Sequence, residues 1–214
     1  MIDLLELRPD ELRPLRRVEY EHLIEDGYFD EDERIELLVG LLVAKEPPSP
    51  YHSDLITRVS HALMRQLDRR AQVRVQMPFA ASDDSEPEPD IAIVPYADYR
   101  RAHPSEALLL VEVAVSSSKR DRTLKAAIYA QGNVQEYWVV DVGERATFVF
   151  RGAIRIAAAR SRARSERKPK ASGTLPPVEK KPPAVWTSTT RVPWTEALSP
   201  LAFPDVLLGI ADFS

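Results

Sequence analysis

Two acidic residues stand where an acid is costly. Asp90 follows Pro89 at the head of the apolar run Ile91-Ala92-Ile93-Val94, and Glu112 lies inside the run Leu108–Val115. A carboxylate among leucines and valines raises the free energy of the fold unless a cation or a hydrogen-bond network meets it. If the two runs are neighbouring strands, about 4.8 Å apart, one acid from each can share a divalent ion. The backbone carbonyl of Val113 is a further ligand in reach. Oxygen donors of this kind select Mg2+ or Mn2+ over zinc. The plain alternative is that Glu112 pairs with an Arg or Lys of the fold.

The residues after Glu112 extend the chemistry. Ser116-Ser117-Ser118 runs into Lys119-Arg120-Asp121-Arg122. Hydroxyls there can cap a helix, and the helix N–H groups together with Ser116, Ser118, Lys119, Arg120 and Arg122 form a candidate phosphate-binding set. Lys125 follows Asp121 by four residues. The pair reads either as a surface ion pair worth about 0.3–0.5 kcal/mol or as an auxiliary acid beside a lysine that points over the strand ends toward Glu112. Two acids, one lysine and one cation are the parts needed for metal-assisted phosphodiester hydrolysis. Three further residues are auxiliary candidates. Glu36 is a third carboxylate or an exposed strand acid. His52 is a site contact or a buried histidine capping the preceding Pro-rich turn. Tyr129, one turn beyond Lys125, buttresses it or packs. No histidine or elbow glycine accompanies the serines, so a serine hydrolase is set aside, and no P-loop or dinucleotide fingerprint is present, which leaves no organic cofactor to expect.

The elements that must position these groups follow from periodicity. Residues 13–26 read as a short helix, 34–44 as a hairpin centred on Val39-Gly40, and about 51–69 as a helix with Ile56, Val59, Leu63 and Leu67 inward. Strands are expected over 72–80, 89–95, 107–115, 136–141 and 146–150. A helix over 119–131 turns Leu124, Ala127, Ile128 and Gln131 to one side, with Asn133 in the left-handed position that ends it. This order predicts an α/β arrangement: an α+β mixed sheet flanked by helices.

Composition sets limits. The chain has 214 residues, 18 Pro, 7 Gly and no Cys, which excludes disulfides, thiolate zinc sites and a cysteine nucleophile. No apolar run approaches the ~20 residues of a membrane span, and the N-terminus lacks a signal-peptide pattern, so no membrane and a cytoplasmic location are expected. Net charge is -4. Residues 151–181 carry ten Lys or Arg against two Glu, so they are +8 and the remainder is -12. The contrast suggests polyanion binding at a basic arm, or simply a solvated segment. The expected organisation is a core over 1–150, a basic, Pro-rich and weakly ordered linker over 151–193, and an apolar segment over 194–214 that docks on the core.

Taken together, Pro89-Asp90, the segment 112–130 (EVAVSSSKRDRTLKAAIYA) and Glu136-Tyr137-Trp138 resemble the Uma-type restriction endonuclease family of the PD-(D/E)XK nuclease superfamily. Members share a Pro-Asp strand, a Glu-Val-x-Ser-x-Ser segment, an Asp-x-x-x-Lys-x-x-x-Tyr helix and a Glu-Tyr-Trp strand. The likeness runs from about residue 17 to 150. It implies a restriction-endonuclease-like core, a Mg2+ (or Mn2+) cofactor held by Asp90 and Glu112, DNA as substrate, and a homodimer. The superfamily lysine two residues after the glutamate is Ala114 here, so Lys125 would take its role from the helix. The family's hairpin Asp-Gly is Val39-Gly40, and its helix-ending Gly is Asn133. The alternatives are a catalytically inactive nucleic-acid-binding protein of the same fold, and a partner-binding module whose acids are salt-bridged.

Overall fold

The computed structural model describes residues 12–30, 32–45, 47–156 and 183–213. Helix α1 (Arg17–Glu25) leads into a hairpin of β1 (Ile35–Leu38) and β2 (Leu41–Ala44), then α2 (Pro50–Leu67). Ser49 caps α2 by accepting from the His52 N–H, and Pro50 occupies the first turn, where no backbone donor is needed. Strands β3 (Gln72–Val75), β4 (Ile91–Val94), β5 (Glu106–Ala107) and β6 (Leu109–Ala114) follow. A composite helix then comprises α3 (Ser118–Arg120), a π turn (Asp121–Lys125) and α4 (Ala126–Gln131). The remainder is β7 (Asn133–Val134), β8 (Glu136–Asp141), β9 (Ala146–Arg155), β10 (Ala184–Pro193), β11 (Ala197–Leu198), β12 (Leu208–Gly209) and a closing 3-10 turn.

Six strands form the central sheet in the order β10-β9-β8-β6-β4-β3. The β6–β8 pair is parallel and the others are antiparallel, a mixed sheet of the expected kind. The parallel pair sits at the centre because the composite helix makes the crossover between its strands. Both faces are covered, which is why β6 and β8 are buried throughout. On one face Ile91, Ile93, Leu109, Val111 and Val113 pack against Leu55, Val59 and Leu63 of α2 and against Leu198, Val206, Leu208 and Ile210. On the other, Ala92, Val94, Leu110, Ala114, Tyr137 and Val139 pack against Ala126, Ile128 and Tyr129 of α4 and Leu38 of the hairpin.

The structure differs from the sequence expectation in four places. Strand β3 ends at Val75, because Gln76 adopts a left-handed backbone (φ 50°) that strand pairing cannot continue. The composite helix buries Asp121, Lys125, Ala126, Ile128 and Tyr129, while Leu124 is exposed. A stripe of constant 3.6-residue period cannot cross the wider π turn, so the predicted buried face is displaced. Helix α4 ends on Gly132 in an extended conformation, and Asn133 starts β7 rather than closing the helix. Last, β9 runs to Arg155 and β10 pairs along it over residues read as linker. Strand β10 is an edge strand, largely exposed and rich in Ser and Thr, so no alternating apolar pattern marks it. The basic residues of 157–182 lie outside the described residues. Among the described residues no helix is long and apolar enough to cross a membrane.

Candidate active site

The strand register explains why the two acids meet. Ile91 opposes Val111 and Ala92 opposes Leu110 across the β4–β6 ladder. One step further along the same register sets Asp90 against Glu112, with both side chains on the face covered by the composite helix. Asp90 Oδ2 accepts the Val113 N–H at 2.8 Å and lies 3.2 Å from His52 Nε2. Gln76 donates its amide N–H to Asp90 Oδ1 at 3.5 Å and its backbone N–H to the Asp90 carbonyl at 3.0 Å. Across the ladder, Lys125 Nζ donates to Glu112 Oε1 at 2.9 Å and the Tyr129 hydroxyl donates to the same oxygen at 2.8 Å. Glu36 reaches in from β1, with Oε2 3.4 Å from Lys125 Nζ and 3.3 Å from the Glu88 N–H. Its other oxygen, Oε1, is buried without a hydrogen-bond partner.

Glu36, His52, Gln76, Asp90, Glu112 and Lys125 line a cavity of about 270 Å³ that also takes in Arg34, Lys45, Ser116, Ser117 and Arg120, with Tyr129 behind Glu112. Glu36, Asp90, Glu112, Asp121 and Lys125 are each at most 6 % exposed. Four carboxylates therefore share one buried ammonium. Burial, followed by the charges of Asp90, Asp121 and Glu36, pushes Glu112 up to about 8 despite Lys125. Burial also acts against the Lys125 ammonium, but Glu112, Glu36 and Asp121 more than offset it and hold it protonated. Burial opposes the Asp90 anion as well, yet the His52 hydrogen bond, the Val113 N–H and Lys125 leave its carboxyl below the ordinary range. His52 is raised in turn, chiefly by its hydrogen bond to Asp90. The excess of oxygen donors and the orphaned Glu36 Oε1 fit a cation in this cavity. The side chains are not drawn into a closed shell: no group of three or more His, Cys, Asp or Glu among the described residues could hold a metal as it stands.

The sequence-predicted residues divide into two sets. Asp90, Glu112, Lys125, Tyr129, Glu36, His52, Val113 and Asp121 come together around the cavity. Asp121 is turned inward, accepting from the Ser117 hydroxyl, so of the two readings of the Asp121–Lys125 pair the surface ion pair does not form. Cap duty for the Pro-rich turn falls to Ser49 rather than His52. Ser116 and Arg120 line the cavity, and Lys119 lines a shallower recess beside it. Ser118 and Arg122 do not join them. The Ser118 hydroxyl donates to Asp141, and the Arg122 guanidinium stacks 3.5 Å over the Phe148 ring and pairs with Glu144 at 3.1 Å. The π turn sets this division, because the added residue rotates Lys125 inward and Arg122 toward β9. Sequence reasoning missed Gln76 and Arg34. Gln76 carries its signal in a backbone angle that glutamine does not advertise, and Arg34 precedes a strand with nothing in its type to set it apart.

The family model described as "Putative restriction endonuclease", Uma2, matches residues 17–172. The chain belongs to the Uma2 family. Among solved structures, a "putative nuclease belonging to DUF820" from Anabaena variabilis ATCC 29413 resembles this Uma2 chain with a TM-score of 0.63 at 15 % identity, over 94 % of this chain and 97 % of that one. That likeness gives the fold: a restriction-endonuclease-like mixed sheet flanked by helices. No curated protein matches the chain.

Proposed function

We propose that this Uma2-family chain is a divalent-metal-dependent endonuclease that hydrolyses DNA phosphodiester bonds. The observation that carries the reading is the convergence of Asp90, Glu112 and Lys125 on one cavity, with Lys125 Nζ 2.9 Å from Glu112 Oε1. Asp90, Glu112 and the Val113 carbonyl are the groups that would hold Mg2+ or Mn2+. A bound divalent ion would supply charge stabilisation for the pentacovalent phosphorus and a more acidic water. Lys125 holds its proton throughout and donates to a phosphate oxygen or to the attacking water. Tyr129 and Glu36 fix the Lys125–Glu112 geometry, and His52 and the Val113 N–H keep Asp90 ionised. Cutting both strands takes two such cavities, hence a homodimer.

Purified protein incubated with supercoiled plasmid and Mg2+ or Mn2+ is expected to give nicked and linear products, absent with chelator and in Asp90→Ala and Lys125→Ala. Cutting that persists in both variants would trace it to a contaminant. One observation favours a second reading, an inactive nucleic-acid-binding protein: Glu112 Oε1 is already taken by both Lys125 and Tyr129. Duplex binding without cutting under any cation would select it.

A further inference from the structure

Most charged side chains around the cavity are satisfied by one another. Lys125 is engaged by Glu112 and Glu36, and Lys45 by the Glu88 carboxylate at 3.0 Å. Two cations lining the same cavity are different. Arg34, just before β1, and Arg120, at the end of α3, form no salt bridge among the described residues, although the Arg120 charge acts on neighbouring Asp121. Arg120 Nε is buried with no hydrogen-bond acceptor. Arg120, Ser116 and Ser117 also line the neighbouring recess, which continues to Lys119 and Thr123. An arginine left without an acceptor in a carboxylate-rich cavity presents a planar fork of donors suited to a phosphate oxygen pair.

We propose that Arg34 and Arg120 bind the backbone phosphates flanking the one held in the cavity, so that the site grips a run of consecutive DNA phosphates and not a single one. The proposal rests on the nuclease reading for its substrate, but it concerns binding and not turnover. Arg34 lines the cavity from the residue before β1. Arg120 lines both the cavity and the adjoining recess with Lys119, so the path of the strand continues from one into the other. Contacts of this kind fix position without reading bases, so the affinity they add is independent of sequence and falls with salt.

The test is fluorescence anisotropy of the full chain with a labelled DNA duplex in Ca2+, over a series of salt concentrations. Arg34→Ala and Arg120→Ala are each expected to weaken binding 5- to 20-fold at about 0.1 M salt and to lower the slope of log K against log salt by about one, equally for unrelated duplex sequences. Arg34→Lys should keep the slope. Arg100→Ala, whose guanidinium is already paired with Asp98, should change neither quantity. An unchanged slope in a folded Arg34→Ala protein overturns the proposal even if plasmid is cut. Absence of duplex binding by the parent chain also overturns it. Slope changes without any cutting uphold it while the nuclease reading fails.

Discussion

Lys125 is a cation that the fold has placed among more acids than it can neutralise. Glu36, Asp90, Glu112 and Asp121 are all buried around it, and burial pushes the Glu112 carboxyl up to about 8. A buried pair broken on one side leaves an uncompensated charge, at a cost of about 3–5 kcal/mol. If the chain is the proposed nuclease, Lys125→Ala is expected to lower plasmid cutting by about 10²–10³-fold, as loss of a preorganised donor does. It should also lower the urea midpoint, because buried Glu112 and Glu36 lose the ammonium that pairs with them. Retention of near-parental cutting would show that Lys125 is structural. Asp90, Glu112 and Lys125 were legible in the sequence because of their settings: one acid at the head of an apolar strand, one inside another, and a lysine spaced to follow them. Gln76, Arg34 and the inward turn of Asp121 have no such setting, and only their positions reveal them.

Among the elements, the β1–β2 hairpin carries the clearest strain. Its turn residues, Val39 and Gly40, both have left-handed backbones (φ 51° and 78°), the geometry of a two-residue hairpin turn that matches strand twist. A β-branched residue there is strained by about 1–3 kcal/mol. Val39→Asn is expected to stabilise the protein by about 1 kcal/mol in urea unfolding. Gly40→Ala should destabilise it by about 2–4 kcal/mol, since a Cβ would stand 2.3 Å from Pro14 Cβ as well as strain the backbone.

Glu86, in the loop packed on that hairpin, gives a pH signature. Its N–H donates to the Leu37 carbonyl, its side chain is buried, and burial together with the charge of Glu21 pushes its carboxyl up to about 7. Between its ordinary value of 4.5 and about 7, the folded state binds more protons than the unfolded chain, so stability falls as pH rises through that window. Glu86→Gln should match the parent near pH 4 and exceed it at pH 8 by roughly 1–3 kcal/mol, read from urea midpoints across pH. A constant offset at all pH values would contradict this account.

For the whole molecule, the segment from Trp194 to Ile210 is part of the main core and not an appendage. Trp194, Leu198, Val206, Leu208 and Ile210 pack against α2 and the central strands. Leu208→Ala is expected to cost about 2–5 kcal/mol and to lower a single cooperative transition. A separate early transition would indicate independent docking.

The central strands could be read from the sequence because burial on both faces makes β6 and β8 continuously apolar, and a helix crossover then requires them to be parallel. Local patterning determined that a mixed sheet forms and which acids stand in it. Tertiary structure alone decided the β4–β6 register that opposes Asp90 and Glu112, the π turn that sends Lys125 inward and Arg122 outward, and the pairing of β10 along the edge. Register and helix phase depend on contacts between residues far apart in the chain, which local periodicity does not encode, and an exposed edge strand has no apolar face to announce itself.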